Sequence, residues 1–136
     1  MAEYDLKSEI KVVAAIHPAS HADISDGVSI DTKGYESVTF VVHTGALGAG
    51  TATFTIQHAD DNGSGAAGTF ADITAADDLI GSYPSLAATD DNKTYVFAYR
   101  GKKQWVRLQN VESTAWTTYI HGAVCILGHP KIIPTT

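Results

Sequence analysis

The sequence predicts an all-β protein, an antiparallel two-sheet sandwich of about eight strands with a jelly-roll-like topology. Apolar and polar residues alternate over short stretches, as they do in strands that bury one face. Clusters of Gly, Asp and Asn separate these stretches at short intervals. No segment of helical length shows helical spacing, which argues against alternating strands and helices. An immunoglobulin topology is the less favoured alternative, because its paired cysteines are missing.

The clearest strand covers residues 51–58. Ala52, Phe54, Ile56 and His58 fall on one side of it, and the other side is mostly threonine, which suits a solvated pleat. Residues 37–43 form the preceding predicted strand. The glycine-rich linker between the two predicts a hairpin.

Downstream, residues 95–100 alternate in the same way, and a tight turn leads into residues 105–109. The last strand, about residues 117–127, is apolar on both faces, as a central strand of a sandwich is. Weaker candidates are residues 11–16, 27–31 and 69–73. One helical turn is expected at residues 74–79, with Thr74 as its cap and Asp77 completing a capping box.

Length and composition indicate one domain, residues 1–136, with short arms at about 1–9 and 128–136. The prolines of the second arm argue against regular pairing. Cys125 is the one cysteine, so no internal disulfide can form, and its apolar neighbours predict a buried thiol. We expect a cytoplasmic product, because the first residues lack the features of a signal peptide. No apolar run approaches the length of a membrane span.

The net charge of −6 disfavours nucleic-acid binding unless a local basic patch overrides it. The candidate patch is Arg100, Lys102, Lys103 and Arg107, which we interpret as a solvated hairpin tip. Exposed Trp105 and Trp116 would form either a sugar-stacking platform or a protein interface. The simpler interpretation is that one face of each strand is core.

Motifs that could carry chemistry have simpler explanations. Gly63-Ser64-Gly65-Ala66-Ala67-Gly68 matches a dinucleotide fingerprint but leads into a strand, where that site needs a helix. Asp60, Asn62 and Ser64 begin like a calcium loop, but the twelfth position is alanine.

His17, His21 and Asp23 are possible zinc ligands without an identifiable fourth. No arrangement of nucleophile and base is diagnostic of a hydrolase. We therefore expect no metal, no cofactor and no enzymatic activity.

Several segments resemble the capsid cement (decoration) proteins of tailed bacteriophages. The resemblance covers roughly residues 28–130, and it is carried by residues 30–42, the Thr44-Gly45 turn, and residues 56–61, 77–81, 100–108 and 122–130. The resemblance implies a jelly-roll protein that is clamped as a homodimer to the outside of a capsid shell. It also implies a location on the virion, after assembly in the host cytoplasm, and no catalytic residues.

Under this hypothesis the chain binds the major capsid protein, bridges its subunits and stabilises the shell, without contacting nucleic acid or membrane. The resemblance assigns no individual contact residue. The predicted contacts come from the arms and from one strand: Tyr4, Leu6, Trp105, Arg107, His129, Lys131, Ile132 and Ile133. The alternative is a carbohydrate- or receptor-binding sandwich of a phage tail or baseplate, and a small enzyme on a sandwich is a third, less favoured reading.

Overall fold

The structure, a computed structural model, describes residues 3–20 and 25–131. Its strands are β1 (Lys11–Ser20), β2 (Ser25–Asp26), β3 (Ile30–Asp31), β4 (Tyr35–Leu47), β5 (Thr51–Ala59), β6 (Ala71–Asp72), β7 (Leu79–Ile80), β8 (Thr94–Tyr99), β9 (Trp105–Thr114) and β10 (Tyr119–Pro130). Sheet A has the strand order β1-β10-β4-β8-β7. Sheet B has the order β2-β9-β5-β6, and β3 also pairs with β9. All pairings between these strands are antiparallel.

The topology is that of a jelly roll. The short strands β2 and β3 both pair with β9 and act as one strand, and β7 adds a short edge to sheet A. With that simplification the chain changes sheet at nearly every connection, and the first and last strands are neighbours. This is the double Greek key of a jelly roll, so the predicted all-β sandwich is confirmed.

One apolar core lies between the sheets. Sheet A contributes Phe40, Val42, Cys125 and other side chains, and sheet B contributes Phe54, Ile56, Val106 and Leu108. Val106 and Leu108 both point into this core and are completely buried. Each such side chain contributes roughly 1.5–3 kcal/mol by leaving water.

The predicted hairpin between β4 and β5 is wrong. The two strands lie in different sheets, where β4 pairs with β10 and β8 while β5 pairs with β9 and β6. Alternation shows that a strand has one buried face, and two strands can bury such faces against each other across a core as well as side by side. The linker between them therefore crosses from one sheet to the other.

The segment between β8 and β9 is not a hairpin tip either. β8 belongs to sheet A and β9 to sheet B, so residues 100–104 form a second crossing between the sheets. The hydroxyl oxygen of Tyr99 accepts a hydrogen bond from the Lys103 backbone N–H at 3.2 Å and lies 3.0 Å from His58 Nδ1. The crossing is thereby fixed to both sheets.

Two prolines lie inside strands that the sequence predicts to end earlier. β1 continues through His17 and Pro18 to Ser20, with register shifts on either side of Ile16, so the predicted end at residue 16 is wrong. Proline is tolerated there because β1 is the edge of sheet A and is bulged. β10 continues to Pro130, which pairs with Tyr35 beyond the end of β1, so the irregular tail predicted from Gly128 begins later.

Two of the weaker predicted strands are shorter in the structure than the sequence predicts. Residues 27–31 are strand only at Ile30–Asp31, and residues 69–73 only at Ala71–Asp72. Gly27 and Val28 connect β9 and β1 instead, because their backbone N–H groups donate to the carbonyls of Leu108 and Ala15 at 2.7 and 2.8 Å. An added Cβ on Gly27 would meet both carbonyl oxygens.

The predicted helical turn exists as a 3-10 turn at Ala76–Asp78. The residue before it is Ala75 and no side chain caps it, so the predicted Thr74 cap is wrong. Two further 3-10 turns cover Lys7–Glu9 and Ala88–Asp90. Among residues 3–20 and 25–131 no helix has the length and apolar character needed to cross a membrane.

Candidate interaction surface

The outer face of sheet A is exposed and uncharged over two complete rows of side chains. The strand registers align one row of five residues and a second row of four, which are Val12, Ile126, Thr39, Ala98 and Ile80, then Ala14, Val124, Val41 and Val96. Val96 is 61% exposed and Val12 is 54% exposed. We call these nine residues the apolar face.

The size of the apolar face indicates an interaction surface. Five strands about 4.8 Å apart and two rows of alternating residues cover on the order of 400 Å². An exposed patch of this size, roughly 300–600 Å², is the largest on a typical monomer and is often functional. A standard protein interface needs about 800 Å² per partner, so neighbouring elements must contribute to a stable complex.

The outer face of sheet B has the opposite character. Its threonines alternate with the buried residues of β5, and its centre is a polar network around Arg107. Gln57 is buried, and its amide donates to Asp72 at 2.7 Å. This polar face satisfies its own hydrogen bonds, whereas the apolar face has nothing packed on it within the described chain.

Three hollows open onto the sheet A side. A hollow of about 260 Å³ lies beside the apolar face, between Pro18, Val41 and Val124. A second, of about 520 Å³, separates the N-terminal arm at Leu6 and Glu9 from the end of β10. A third, of about 610 Å³, lies where Thr39, Ala98 and Ile80 of the apolar face meet the crossing at residues 100–104.

The predicted contact residues of the two arms border this side. Tyr4 is 94% exposed and Leu6 is 63% exposed. His129 Nδ1 lies 3.0 Å from Ser37 Oγ, and His129 lines the same hollow as Leu6. Lys131 is exposed, and its backbone N–H donates to the Gly34 carbonyl at 2.9 Å. The arms therefore adjoin the apolar face, while Ile132 and Ile133 lie outside the described residues.

Trp105 and Arg107, the other predicted contacts, lie on the opposite side of the molecule. The guanidinium of Arg107 stacks over Phe70 at 4.3 Å from the ring centroid and donates through Nε to Gln57 at 2.7 Å. Arg107 Nη1 also lies 3.4 Å from Asp26.

Trp105 is partly buried, and its indole N–H donates to Asp61 at 3.2 Å. This hydrogen bond is the main cause that lowers the pKa of the Asp61 carboxyl. Both side chains have internal partners and are separated from the predicted arm contacts.

The aromatic strand residues belong to the interior and do not form a sugar platform. Phe97 and Tyr99 are buried, and Tyr95 is partly buried. Trp116 stacks on the buried Tyr119 ring at 4.3 Å. Within residues 3–20 and 25–131, Tyr4 is the one aromatic side chain that is largely exposed.

The glycine-rich segment is a loop, as predicted. Asp61 and Ala67 form an isolated bridge at its base. Inside the loop, the Asp61 carboxylate accepts a hydrogen bond from the Gly63 N–H, and the Asn62 side-chain oxygen accepts one from the Ser64 N–H. Asp60, a member of the possible calcium set, lies 2.9 Å from the Lys103 ammonium.

No group of three or more His, Cys, Asp or Glu side chains is arranged to hold a metal within the described part of the chain. His21 and Asp23, from the possible zinc set, lie outside that part.

The buried ionisable groups are part of the core. Burial raises the pKa of the Cys125 thiol to about 12, as the predicted inert thiol requires. His121 is buried between the rings of Tyr119 and Phe54. His58 is partly buried, and its Nδ1 lies 3.0 Å from the hydroxyl oxygen of Tyr99 in the other sheet.

The apolar face is not predictable from the sequence in the same way. Alternation distinguishes the two faces of one strand, but it does not show which other strands lie beside it in the sheet. The long apolar run of the last strand was the available signal. Val124 and Ile120 on its outer side are 38% and 41% exposed, although β10 is central in its sheet.

Comparisons with known proteins give fold-level similarities. No protein-family model matches the chain, and no curated protein matches it. A chain in the structure of infectious bursal disease virus, Gx strain, is similar over 92% of this chain with a TM-score of 0.48 and 10% identity. The match covers 34% of that viral chain, so this chain spans about a third of its length. A protein of the Bacillus endospore appendages, described as disulfide-linked pili, is similar over 93% of this chain and 95% of its own, with a TM-score of 0.42 and 8% identity.

Proposed function

We propose that this chain is a structural virion protein that binds the outside of a tailed-phage capsid and stabilises it by bridging major capsid protein subunits. The observation that supports the proposal best is the apolar face, which is free of charge and includes the exposed side chains of Val12, Ile80 and Val96. The sequence resemblance to phage cement proteins supplies the identity of the partner. Copies act as homodimers on the outer capsid surface, as the resemblance implies.

The arrangement of the arms supports the same proposal. The apolar face alone offers about half of the area that a standard interface buries on each partner. Tyr4 and Leu6 add exposed apolar area at its border. If one capsid subunit contacts the apolar face and a neighbouring subunit contacts the adjoining arm, this chain joins the two subunits, as bridging requires.

The experiment is co-sedimentation with capsids stripped of this protein, followed by heating. Wild-type protein is expected to bind saturably and to raise the capsid disruption temperature. The double variant Val96→Asp and Val124→Asp places two charges in the apolar face, and it is expected to weaken capsid binding at least about tenfold, equal to a loss of about 1.4 kcal/mol.

The matched control is Thr55→Asp, because Thr55 is a strand residue of the outer face of sheet B. It is expected to bind like wild type, and both variants should keep the thermal transition of the free protein within a few degrees. Wild-type binding by the double variant, or no capsid binding by wild-type protein, would contradict the proposal.

A further inference from the structure

Basic side chains converge on one hollow of the sheet A side. The hollow of about 610 Å³ is lined by five of the chain's nine Lys and Arg residues and by one acid, Glu36. The basic residues are Lys33, Arg100, Lys102, Lys103 and Lys131. The remainder of the chain has four basic and fourteen acidic residues, so the hollow is a positive site on a negative protein. We call it the basic hollow.

Three separate segments bring the basic residues together, and hydrogen bonds fix each segment. The turn that carries Lys33 is held by Thr32, whose N–H and hydroxyl both donate to the Gln104 carbonyl at 2.9 and 2.6 Å. The end of β10 that carries Lys131 is joined to the same turn at Gly34. The Arg100 N–H donates to the Asp78 carbonyl at 2.8 Å.

Most of these cations form no direct ion pair, although Glu36 also lines the hollow and Lys33 interacts with the Asp61 carboxylate at longer range. Among the described residues, Lys103 is the one member with a carboxylate in ion-pair range, namely Asp60 at 2.9 Å. Four cations within one hollow repel each other, and they would be stabilised by an anionic group that enters it. The hollow also has an apolar wall, formed by Ile80 and Ala98 of the apolar face.

We propose that the basic hollow binds an acidic segment of a partner protein, with carboxylate side chains among the cations and a neighbouring apolar side chain against Ile80. A nucleic acid fits the surroundings less well, because its phosphates extend beyond the hollow and meet the negative charge of the remaining surface. A short acidic peptide places its few charges inside the hollow alone. The inference requires no capsid, so it can fail or succeed independently of the proposed function.

The test measures binding of a fluorescently labelled hexaglutamate peptide by anisotropy at low and at physiological salt. Wild-type protein is expected to bind it saturably, and more weakly as salt rises. The triple variant Lys33→Gln, Arg100→Gln and Lys102→Gln is expected to lose at least about tenfold in affinity. The control Lys11→Gln removes an exposed cation of β1 that does not line the hollow, and it should bind almost as wild type.

Three unlabelled competitors distinguish an acidic peptide from a nucleic acid as the ligand of the hollow. Unlabelled hexaglutamate should displace the labelled peptide at lower concentration than a thymidine hexanucleotide does, and hexaglutamine should not displace it. A hexanucleotide that competes better would overturn the proposal in favour of nucleic acid. Absence of saturable peptide binding, or equal losses in the triple variant and in Lys11→Gln, would overturn it outright.

Discussion

The hydroxyl group of Tyr119 donates a hydrogen bond to Asn110 Oδ1 at 2.6 Å, and both side chains are completely buried. Tyr119 belongs to β10 in sheet A and Asn110 to β9 in sheet B, so this polar contact joins the two sheets through the core. A buried acceptor that loses its donor costs about 1–3 kcal/mol.

We therefore expect Tyr119→Phe to lower the free energy of unfolding by about 1–3 kcal/mol in chemical denaturation. Tyr95→Phe is the matched control, since the Tyr95 hydroxyl donates at 3.0 Å to Asp90, a surface carboxylate that water can solvate. The control should lose less than half as much. Equal losses for the two variants would contradict a special role of the bond between the sheets.

Stability should fall in alkaline solution because two core groups resist ionisation. Burial raises the pKa of Cys125 to about 12 from 9.0, and burial also raises the pKa of Tyr119. The folded protein therefore retains protons that the unfolded chain releases, so the stabilisation is present below about pH 9 and is lost as pH rises towards 12. Unfolding by urea at several pH values measures this slope. Cys125→Ala should be less stable at pH 7 and have a shallower slope; an unchanged slope would refute the assignment to Cys125.

Gly50 has a φ of +147°, and a Cβ built on it would lie 2.5 Å from the Trp116 ring. We expect Gly50→Ala to displace Trp116 from its stack on Tyr119 and to destabilise the fold by about 1–3 kcal/mol, since both backbone strain and a clash oppose it. Tryptophan fluorescence of the native state reports the displacement. Gly63→Ala is the control, because it has a positive φ of 88° without any atom near its Cβ position. An emission change in Gly63→Ala and none in Gly50→Ala would contradict the account.

Arg107→Ala should lower stability by about 1–2 kcal/mol, because it removes a hydrogen bond to Gln57 and the packing on Phe70. Lys102→Ala, at an exposed cation, should cost less than about 0.5 kcal/mol. In the capsid assay Arg107→Ala is expected to bind as wild type at a temperature where it is folded. Lost binding by folded Arg107→Ala would place the capsid contact on sheet B.

The N-terminal arm should add to capsid binding without supporting the fold. Tyr4→Ala combined with Leu6→Ala removes the two most exposed large apolar side chains of the described chain. We expect the thermal transition to stay unchanged and capsid affinity to fall several-fold, as loss of exposed apolar contact area predicts. The control is Glu3→Gln, beside them in the arm. A capsid affinity equal to wild type in the double variant would remove the arm from the interface.

The fold class was predictable because alternation is a local property. Phe54, Ile56, Val106 and Leu108 are separated from polar neighbours by single steps along the chain, and burial follows that period in the structure. The pairing of β4 with β10 was not predictable in the same way, because 80 or more residues separate partners such as Val41 and Val124. The local spacing of apolar residues gives no information on that contact and favours pairing of β4 with the next strand in sequence. For this reason the hairpin prediction is wrong.

The candidate surface was only partly predictable for the same reason. Arg100, Lys102 and Lys103 were identified as a patch because they are neighbours in sequence. Lys33 joins them through the hydrogen bonds of Thr32 to Gln104, and Lys131 joins them through the bond of its N–H to Gly34. Arg107, which is close in sequence, faces away because it follows Trp105 by two residues on the outer side of sheet B.

The outer face of sheet A is apolar and the outer face of sheet B is polar. This difference determines which side of the molecule lies against a partner surface. With the apolar face down, the hydrogen-bonded face of sheet B is up in every copy, without any further orienting contact. The contacts of Arg107 with Gln57 and Asp26 would then lie on the upper side, and the basic hollow would lie towards the underside. A layer of such copies would therefore present the same hydrogen-bonded polar face to the solution at every position.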